Sequence, residues 1–329
     1  MPTRRLLHKA ALATLASSVA PLTPLFAQGT LALPGTIKII VVVPAGASMD
    51  NIARLVADRL KDSLKRNVVV DYKVGGTGLV ASQFMKTTEP DGGHVMFAPL
   101  AVAAFFPFLY ARLPFEPDVD LAPLCDGVHI PHSLAVSMAS GVQNLAQFLE
   151  GARADPLKGS IGTSSMSSVG ALLMLRLRQL ANVDLQLVAY KGGQPLLADL
   201  MGNQVPAGVS VISDYLAQHQ AGRVRLIATG GARRSPLAPD IPTLVESGFA
   251  DLYGVSSIGF FARGGTPQPV QELLSREINA VLKQPEVRSR LLAMAAEPVG
   301  GSPAEFRQLI LSERARWGPV AKAANIKVD

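Results

Sequence analysis

The amino-acid sequence predicts an α/β protein with parallel or mixed sheets and helices on both faces. Strand and helix patterns alternate along most of the 329 residues, which is the order that produces such sheets. The strand segments are continuous apolar runs, as expected for strands that are covered on both sides. Apolar residues make up 48% of the chain and aromatic residues only 5%, so the predicted core is aliphatic.

Nine segments have the composition of strands, and helical spacing of apolar residues fills the intervals between them. Two helices in the C-terminal third begin at recognisable sites. One follows Thr266-Pro267, and the other follows a capping box from Ser302 to Glu305. The predicted strands are 37–43, 68–72, 95–99, 134–137, 160–162, 185–189, 207–211, 225–229 and 258–261.

Residues 1–27 are predicted to be an export signal. Arg4, Arg5 and Lys9 precede an apolar run that ends near Ala27, which is the usual order of such a signal. The arginine pair is typical of a twin-arginine signal, and an ordinary secretory signal is the alternative. Removal of the segment lowers the formal net charge from +6 to +3.

The remaining composition excludes several function classes. The charges are scattered and aromatic residues are few, so we expect no nucleic-acid binding. The single Cys125 has no cysteine partner in the chain. His129 and His132 flank Pro131 on a predicted linker and are interpreted as ordinary histidines rather than zinc ligands. We therefore predict no metal and no cofactor.

No established catalytic motif is present. The serines from Ser164 to Ser168 have no His or Lys nearby in sequence to act as a base. The run from Gly76 to Ala81 reads G-x-G-x-x-A, the form of a dinucleotide fingerprint. It follows the second strand instead of the first, and no acidic residue closes a strand at the expected distance. We predict that the protein is not an enzyme. A nucleotide-binding α/β enzyme is the alternative.

One strand–loop–helix pattern occurs twice. The first copy places the loop Pro44 to Ser48 after strand 37–43, and the second places the loop Thr163 to Ser168 after strand 160–162. Free N–H groups and the positive end of a helix attract anions at such positions. The repeated pattern therefore predicts a carboxylate that is held from two sides.

The chain is predicted to cross between two domains twice, near residues 128–134 and 250–257. The first domain then has two parts, 28–132 and a mostly helical 253–329, and the second domain is 133–252. A double crossing of this kind forms a hinge.

A series of short motifs, each weak alone, is specific in its order and spacing. The chain resembles the periplasmic solute receptors of the tripartite tricarboxylate transporter family, the Bug receptors, over nearly all of its mature length. The matching segments are Val43 to Asp50, Gly75 to Gly78, Glu89 to Gly92, Leu109 to Pro117 with Asp120 to Pro123, Tyr190 to Gly192, Arg234 to Pro236 with Pro239 to Thr243, Gly265 to Pro267, Pro285 to Arg288, and Glu297 to Gly300.

This resemblance implies a hinged, two-domain periplasmic binding protein of type II-like fold. It further implies a monomer in the periplasm that passes a small organic acid to a membrane permease, although some members have no permease assigned. A sensor for a membrane signalling protein is a further alternative. The predicted ligand contacts are Pro44, Ala45, Gly46, Ala47, Ser48, Asp50, Gly76, Thr77, Leu100, Ala101, Thr163, Ser164, Ser165, Ser168, Tyr190, Gly192 and Ser210.

Some of these residues have a structural alternative. Ser48 and Asp50 are equally suited to cap the first helix, and Tyr190 is suited to the core. The chain also departs from the family pattern in one direction: Leu79 and Leu100 stand where polar residues are common, and Ser210 stands where Asp is common. We therefore expect a ligand less polar than citrate or an amino acid, such as a monocarboxylate with an aliphatic or aromatic body.

Overall fold

The computed structural model describes residues 33–323. The export signal predicted over 1–27 lies outside these residues, as do the last six positions of the chain. The strands are β1 Thr36–Val41, β2 Asn67–Tyr72, β3 His94–Pro99, β4 Leu121–Ser137, β5 Ser160–Thr163, β6 Gln186–Ala189, β7 Ala207–Val211, β8 Val224–Thr229, β9 Val255–Arg263 and β10 Glu297–Gly300.

Helices connect most of these strands, and together with the sheet they confirm the predicted α/β class. They are α1 Ser48–Leu64, α2 Leu79–Lys86, α3 Ala101–Ala104, α4 Phe106–Leu109, α5 Pro117–Asp120, α6 Leu145–Ala154, α7 Val169–Ala181, α8 Gly193–Met201, α9 Ile212–Gln220, α10 Gln268–Leu282, α11 Pro285–Ala293 and α12 Pro303–Ala323. Short 3-10 turns cover Gly76–Gly78, Met138–Ser140 and Pro156–Gly159.

The strands form one mixed sheet in the order β2-β1-β3-β9-β4-β7-β5-β6, with β8 and β10 also paired to β4. The long strand β4 joins two groups of strands. Its first part pairs antiparallel with β9 and β10, and its second part pairs antiparallel with β7 and β8. The pairs β1–β2, β1–β3, β5–β6 and β5–β7 are parallel. The carboxyl ends of the parallel strands carry both predicted anion loops.

Two apolar clusters account for the core. One includes Phe106, Leu172 and Trp317, and the other includes Ile52, Tyr215 and Leu274. Side chains of β1 divide between them, because Ile40 belongs to the first cluster and its neighbour Ile39 to the second. A strand directs successive side chains to opposite faces, so the clusters lie on opposite faces of the sheet. This explains the continuous apolar runs in the sequence.

Local signals in the sequence fix several helix ends. The capping box is present: Ser302 N–H donates to Glu305 Oε2 at 2.7 Å, and Glu305 N–H donates to Ser302 Oγ at 3.2 Å. The other predicted start differs in detail. Helix α10 begins at Gln268, and Pro267 occupies the capping position without a side-chain hydrogen bond.

The segments predicted to cross between domains are not irregular linkers. Residues 128–134 lie inside β4, and β9 already begins at Val255. The prediction recovered only residues 134–137 of β4, because Pro123 and Pro131 interrupt its apolar pattern. Strand β10 was not predicted, since its four residues contain Pro298 and Gly300.

Candidate functional site

A cavity of about 1050 Å³ opens beside the place where β4 and β9 run together. Pro131 and Ser256 both line it. The two residues are nearly opposite in the antiparallel register, where Pro131 pairs with Val255 and Ile130 with Ser256. The part of the cavity lined by β4 and β9 is called its floor. Its other lining residues come from the turn before α2, the junction of β3 and α3, the start of α7, the loop after β8, and the segments α11, β10 and α12. Both groups of strands therefore contribute to one cavity.

Four predicted contacts line this cavity. Thr77, Leu100 and Ala101 come from the β1–β2–β3 group, and Ser168 comes from the β5–β7 group. Ser167, which was not among the predicted contacts, also lines it. The structure thus brings together members of both predicted sets, although they are far apart in the chain.

The first predicted anion loop does not line the cavity, and its role is visible in its hydrogen bonds. Gly46 N–H donates to Asp50 Oδ2 at 2.7 Å, and Tyr72 donates its hydroxyl hydrogen to Asp50 Oδ1 at 2.8 Å. Arg54 forms an ion pair with the same carboxylate at 3.0 Å. Burial acts to raise the pKa of Asp50, but these hydrogen bonds and the Arg54 charge outweigh it and lower the pKa.

Asp50 is only 2% exposed, and its carboxylate is occupied by groups of the protein. It does not cap α1 by its side chain, because the capping position is Ala47 and no side-chain hydrogen bond is present there. Asp50 instead holds the loop from Pro44 to Ala47. Pro44, Ala45, Gly46 and Ser48 are exposed, so they remain accessible at the end of β1.

The second loop is a compact turn of hydroxyl groups. Ser168 caps α7, because its Oγ accepts from Ala171 N–H at 3.2 Å, and the same hydroxyl donates to Ser165 O at 2.7 Å. Ser165 and Ser167 join their hydroxyl oxygens at 3.0 Å, and Thr163 donates to Ser165 O at 3.1 Å. The turn directs Ser167 and Ser168 to the cavity.

Predicted contacts at the ends of β5, β6 and β7 form a neighbouring polar cluster that does not line the cavity. The Ser210 hydroxyl donates to Asp214, and its oxygen lies 2.8 Å from Ser164 Oγ. Gly192 N–H donates to Ser164 O at 3.1 Å. Burial raises the pKa of Asp214, and the hydrogen bond from Ser210 opposes that shift in part.

Tyr190 is also satisfied locally. Its hydroxyl donates to Asp199 Oδ2 at 2.9 Å, which agrees with the structural alternative considered for it. Gly76 lies in the same short turn as Thr77 but does not line the cavity.

Two histidines interpreted as linker residues lie on β4 instead. His129 lines the cavity floor, and its Nε2 lies 2.6 Å from Asp126 Oδ2. His132 is buried and its Nε2 lies 2.9 Å from Ser256 Oγ. Burial lowers the pKa of His132 to about 4, although a hydrogen bond from the ring to the Ser210 backbone acts to raise it. No local pattern predicts that His129 lines the cavity, because its position depends on the pairing of β4 with β9.

Charged residues also line the cavity, and most of them form pairs. Arg233 contacts Glu297 at 3.4 Å, and Arg316 lies 3.8 Å from Glu313. The Arg316 guanidinium also lies 3.9 Å from the ring centre of Tyr253. The sequence did not predict that these charged residues line the cavity. Arg233 and Glu297 come together only because β8 and β10 both pair with β4.

Within residues 33–323, no group of three or more His, Cys, Asp or Glu side chains is arranged to hold a metal ion. No helix in that part of the chain has the length and apolar character needed to cross a bilayer.

Sequence comparison identifies the family. Residues 52–326 match the model of the tripartite tricarboxylate transporter family receptor. A UPF0065 protein of Bordetella bronchiseptica is 31% identical over 88% of this chain and 86% of its own length. BugT of Bordetella pertussis is 27% identical over 89% of this chain and 90% of its own length.

Solved structures agree with this result. Rpa4515 of R. palustris, determined with adipate, is 27% identical, covers 90% of this chain and 100% of its own, and superposes with a TM-score of 0.82. MatC of Rhodopseudomonas palustris with bound malate is 25% identical, with coverage of 87% and 98% and a TM-score of 0.76. The periplasmic binding protein BugD is 25% identical, with coverage of 89% and 99% and a TM-score of 0.77. The chain belongs to the tripartite tricarboxylate transporter receptor family, whose members are solute-binding receptors.

Proposed function

We propose that the protein captures a small carboxylate-bearing ligand in the cavity described above. The observation that carries this proposal is that Thr77 and Leu100 from one group of strands and Ser168 from the other line the same cavity. A ligand that touches both groups stabilises their closed arrangement, so binding is coupled to closure. In this proposal residues 28–132 and 253–329 form one domain, and residues 133–252 form the other.

The carboxylate would be held by hydroxyl and N–H groups. Thr77 and Ser167 supply hydroxyls. The Ser168 hydroxyl hydrogen is donated to Ser165 O, but helix α7 begins directly after Ser168, so the first N–H groups and the positive end of the helix favour an anion there. Hydrogen bonds to a charged group contribute about 1.5–3 kcal/mol each. Three of them do not reach micromolar affinity, about −8 kcal/mol, once the cost of association is subtracted, so burial of the apolar body of the ligand must contribute as well.

The body of the ligand would lie against apolar side chains. Leu100, Phe105 and Val169 line the cavity beside the hydroxyl groups, which supports the expectation of an aliphatic or aromatic acid. The cavity volume of about 1050 Å³ is at the upper end of small-molecule sites. Adipate and malate in the related structures are small carboxylic acids, and adipate has an aliphatic body.

The cellular role proposed here follows the family. The protein would be exported to the periplasm, act as a monomer, and deliver its ligand to the membrane permease of a tripartite transporter. It would not be an enzyme and would use no cofactor.

A thermal-shift screen tests the proposal. We expect hexanoate to raise the melting temperature, because ligand binding to the folded state stabilises it by mass action. Hexanamide has the same shape without the charge and should produce no shift. Citrate and aspartate should stabilise less than hexanoate. Equal shifts with hexanoate and hexanamide, or no shift with any acid, would contradict carboxylate capture.

A further inference from the structure

A buried histidine lies directly behind one of the cavity residues. His132 is 2% exposed, and its Nε2 lies 2.9 Å from the Oγ atom of Ser256. Ser256 lines the cavity on β9, whereas His132 on β4 does not line it. The imidazole ring therefore acts on the site through the Ser256 hydroxyl.

This contact joins the two groups of strands at the point where they separate. Pro131 is the last residue of β4 that pairs with β9, and His132 is the first that pairs with β7. Because Ser256 belongs to β9, the hydrogen bond runs from one group of strands to the other. Gly230 N–H donates to His132 O at 2.8 Å, which holds the backbone at this position.

The surroundings of the ring decide which nitrogen carries the hydrogen. Ser256 engages Nε2, so Nδ1 is the nitrogen left to interact with the backbone oxygen of Ser210. That interaction is weak, because Nδ1 has no partner at full hydrogen-bond geometry among residues 33–323. A carbonyl oxygen can only accept, so it favours the tautomer with the hydrogen on Nδ1. An added Cβ on Gly170 would come within 2.6 Å of Nδ1, so α7 leaves the ring little room to turn.

The tautomer fixes the polarity of the Ser256 hydroxyl. A neutral imidazole has one N–H donor and one acceptor nitrogen. With the hydrogen on Nδ1, Nε2 accepts the hydroxyl hydrogen of Ser256, and only oxygen lone pairs of that hydroxyl remain for the cavity. Burial lowers the pKa of His132 to about 4, so the ring is neutral at neutral pH and this polarity is maintained.

We infer that His132 is a positioning residue of the cavity, and that it holds the Ser256 hydroxyl as a hydrogen-bond acceptor towards the ligand. This inference rests on the proposed function and adds an orientation to it. The carboxylate lies at the Thr77 turn and the start of α7, and a donor on the ligand body, such as a hydroxyl, faces Ser256. A carboxylate is disfavoured beside Ser256, because two oxygen acceptors repel each other.

The next residue of β9 has the same arrangement. The Ser257 hydroxyl donates to Asp126 Oδ1 on β4 at 2.8 Å, and Ser257 also lines the cavity. Both serine hydroxyls on this part of the floor therefore direct their hydrogens to groups of β4. Strand β9 thus offers acceptors to the ligand.

Nitrogen NMR of protein labelled with ¹⁵N in its histidine rings tests the tautomer without a ligand. The His132 signals are identified by their loss in His132→Asn. They should show the hydrogen on Nδ1 and a ring that stays neutral down to about pH 5, one unit above its pKa. A hydrogen on Nε2, or a ring that is charged at pH 7, would overturn the inference.

Calorimetric titration with three acids tests the selection of a donor. 6-Hydroxyhexanoate carries a donor, 6-methoxyhexanoate carries the same oxygen without its hydrogen, and hexanoate is the parent acid. We expect the hydroxy acid to bind about two- to tenfold more tightly than the methoxy acid, the range of one uncharged hydrogen bond. 5-Hydroxypentanoate and its methyl ether repeat the comparison with a chain that is one carbon shorter.

Two variants separate positioning from packing. Ser256→Ala should reduce the hydroxy-to-methoxy affinity ratio to about 1, and His132→Asn should lower it towards 1, because the released Ser256 hydroxyl can then also donate. Adding His132→Asn to Ser256→Ala should not change the ratio further. A merely structural role for His132 would weaken both acids alike and leave the ratio unchanged.

His219→Asn is the matched control, because His219 lies on α9 outside the cavity lining. It should retain the wild-type ratio, and circular-dichroism melting establishes that each variant is folded. A wild-type ratio of 1 at both chain lengths, or an unchanged ratio in Ser256→Ala, would overturn the inference, while hexanoate binding would leave carboxylate capture standing. If none of these acids binds, the proposed function and this inference both fail.

Discussion

Gly46 and Asp50 are joined by a 2.7 Å hydrogen bond that ties the loop after β1 to the first turn of α1. The same carboxylate accepts from Tyr72 at the end of β2. The sequence presented Asp50 equally as a ligand contact or a helix cap, and its carboxylate is bonded to Gly46, Tyr72 and Arg54 instead of capping α1. It fixes the shape of the loop whose N–H groups were predicted to face an anion.

The Asp50→Asn variant tests this positioning role. The amide places an NH₂ group among donors that now point at a carboxylate, so we expect the free energy of unfolding to fall by roughly 1–3 kcal/mol. Asp58→Asn on the same helix is the control, because Asp58 is 71% exposed and such changes stay within about 0.5 kcal/mol. Urea denaturation measures both. Equal losses would contradict the assignment.

The Ser168→Ala variant tests how the cap of α7 supports ligand binding. Loss of the N-cap hydroxyl should destabilise the fold by about 1 kcal/mol. It also releases the turn at Ser165 O and the N-terminus of α7, so we expect hexanoate binding to weaken about tenfold, the equivalent of one hydrogen bond to a charged group. Ser302→Ala removes the equivalent cap of α12 outside the cavity lining. This control should lose similar stability and keep its affinity for hexanoate, and a similar loss of affinity in both variants would count against a role of the Ser168 turn in the site.

His132 predicts a pH dependence of stability. Its pKa in the folded protein is about 4, against about 6.5 in an unfolded chain. Between these values the unfolded state binds the additional proton, so His132 makes the free energy of unfolding decrease as the pH falls from 6.5 to 4. His129 contributes with the opposite sign and at higher pH, because its pKa is raised: its stabilising contribution is complete below pH 6.5 and is lost as the pH rises through its pKa in the folded protein.

Denaturant unfolding of wild type and His132→Asn across this range checks the prediction. The free energies of unfolding of the two proteins should converge as the pH falls, because the variant lacks the titrating group. Parallel curves from pH 6.5 to 4 would contradict a buried, neutral His132.

The predictable parts of this protein are those set by local patterns. Apolar runs predicted β1 to β3 closely, and the Ser302 capping box predicted the start of α12. The contact between Asp126 and His129 could not be predicted from the sequence. The two side chains meet only because the register of β4 against β9 is irregular. A proline-containing strand such as β4 has the composition of a linker, so its histidines were interpreted as linker residues.

The candidate site likewise contains residues that local sequence patterns predict and residues that they do not. Leu100 and Ser168 follow strands, so sequence patterns could assign them to the carboxyl edge of the sheet. The pairing of Arg233 with Glu297 depends on β8 and β10 both pairing with β4. No local sequence pattern predicts these two strand pairings.

A crystal structure of the protein grown with adipate tests the central claim most directly. The account predicts one acid in the cavity, with a carboxylate within hydrogen-bond distance of both the Thr77 turn and the Ser167–Ser168 turn. An acid bound to one of these turns alone, or at a site outside the cavity, would contradict it.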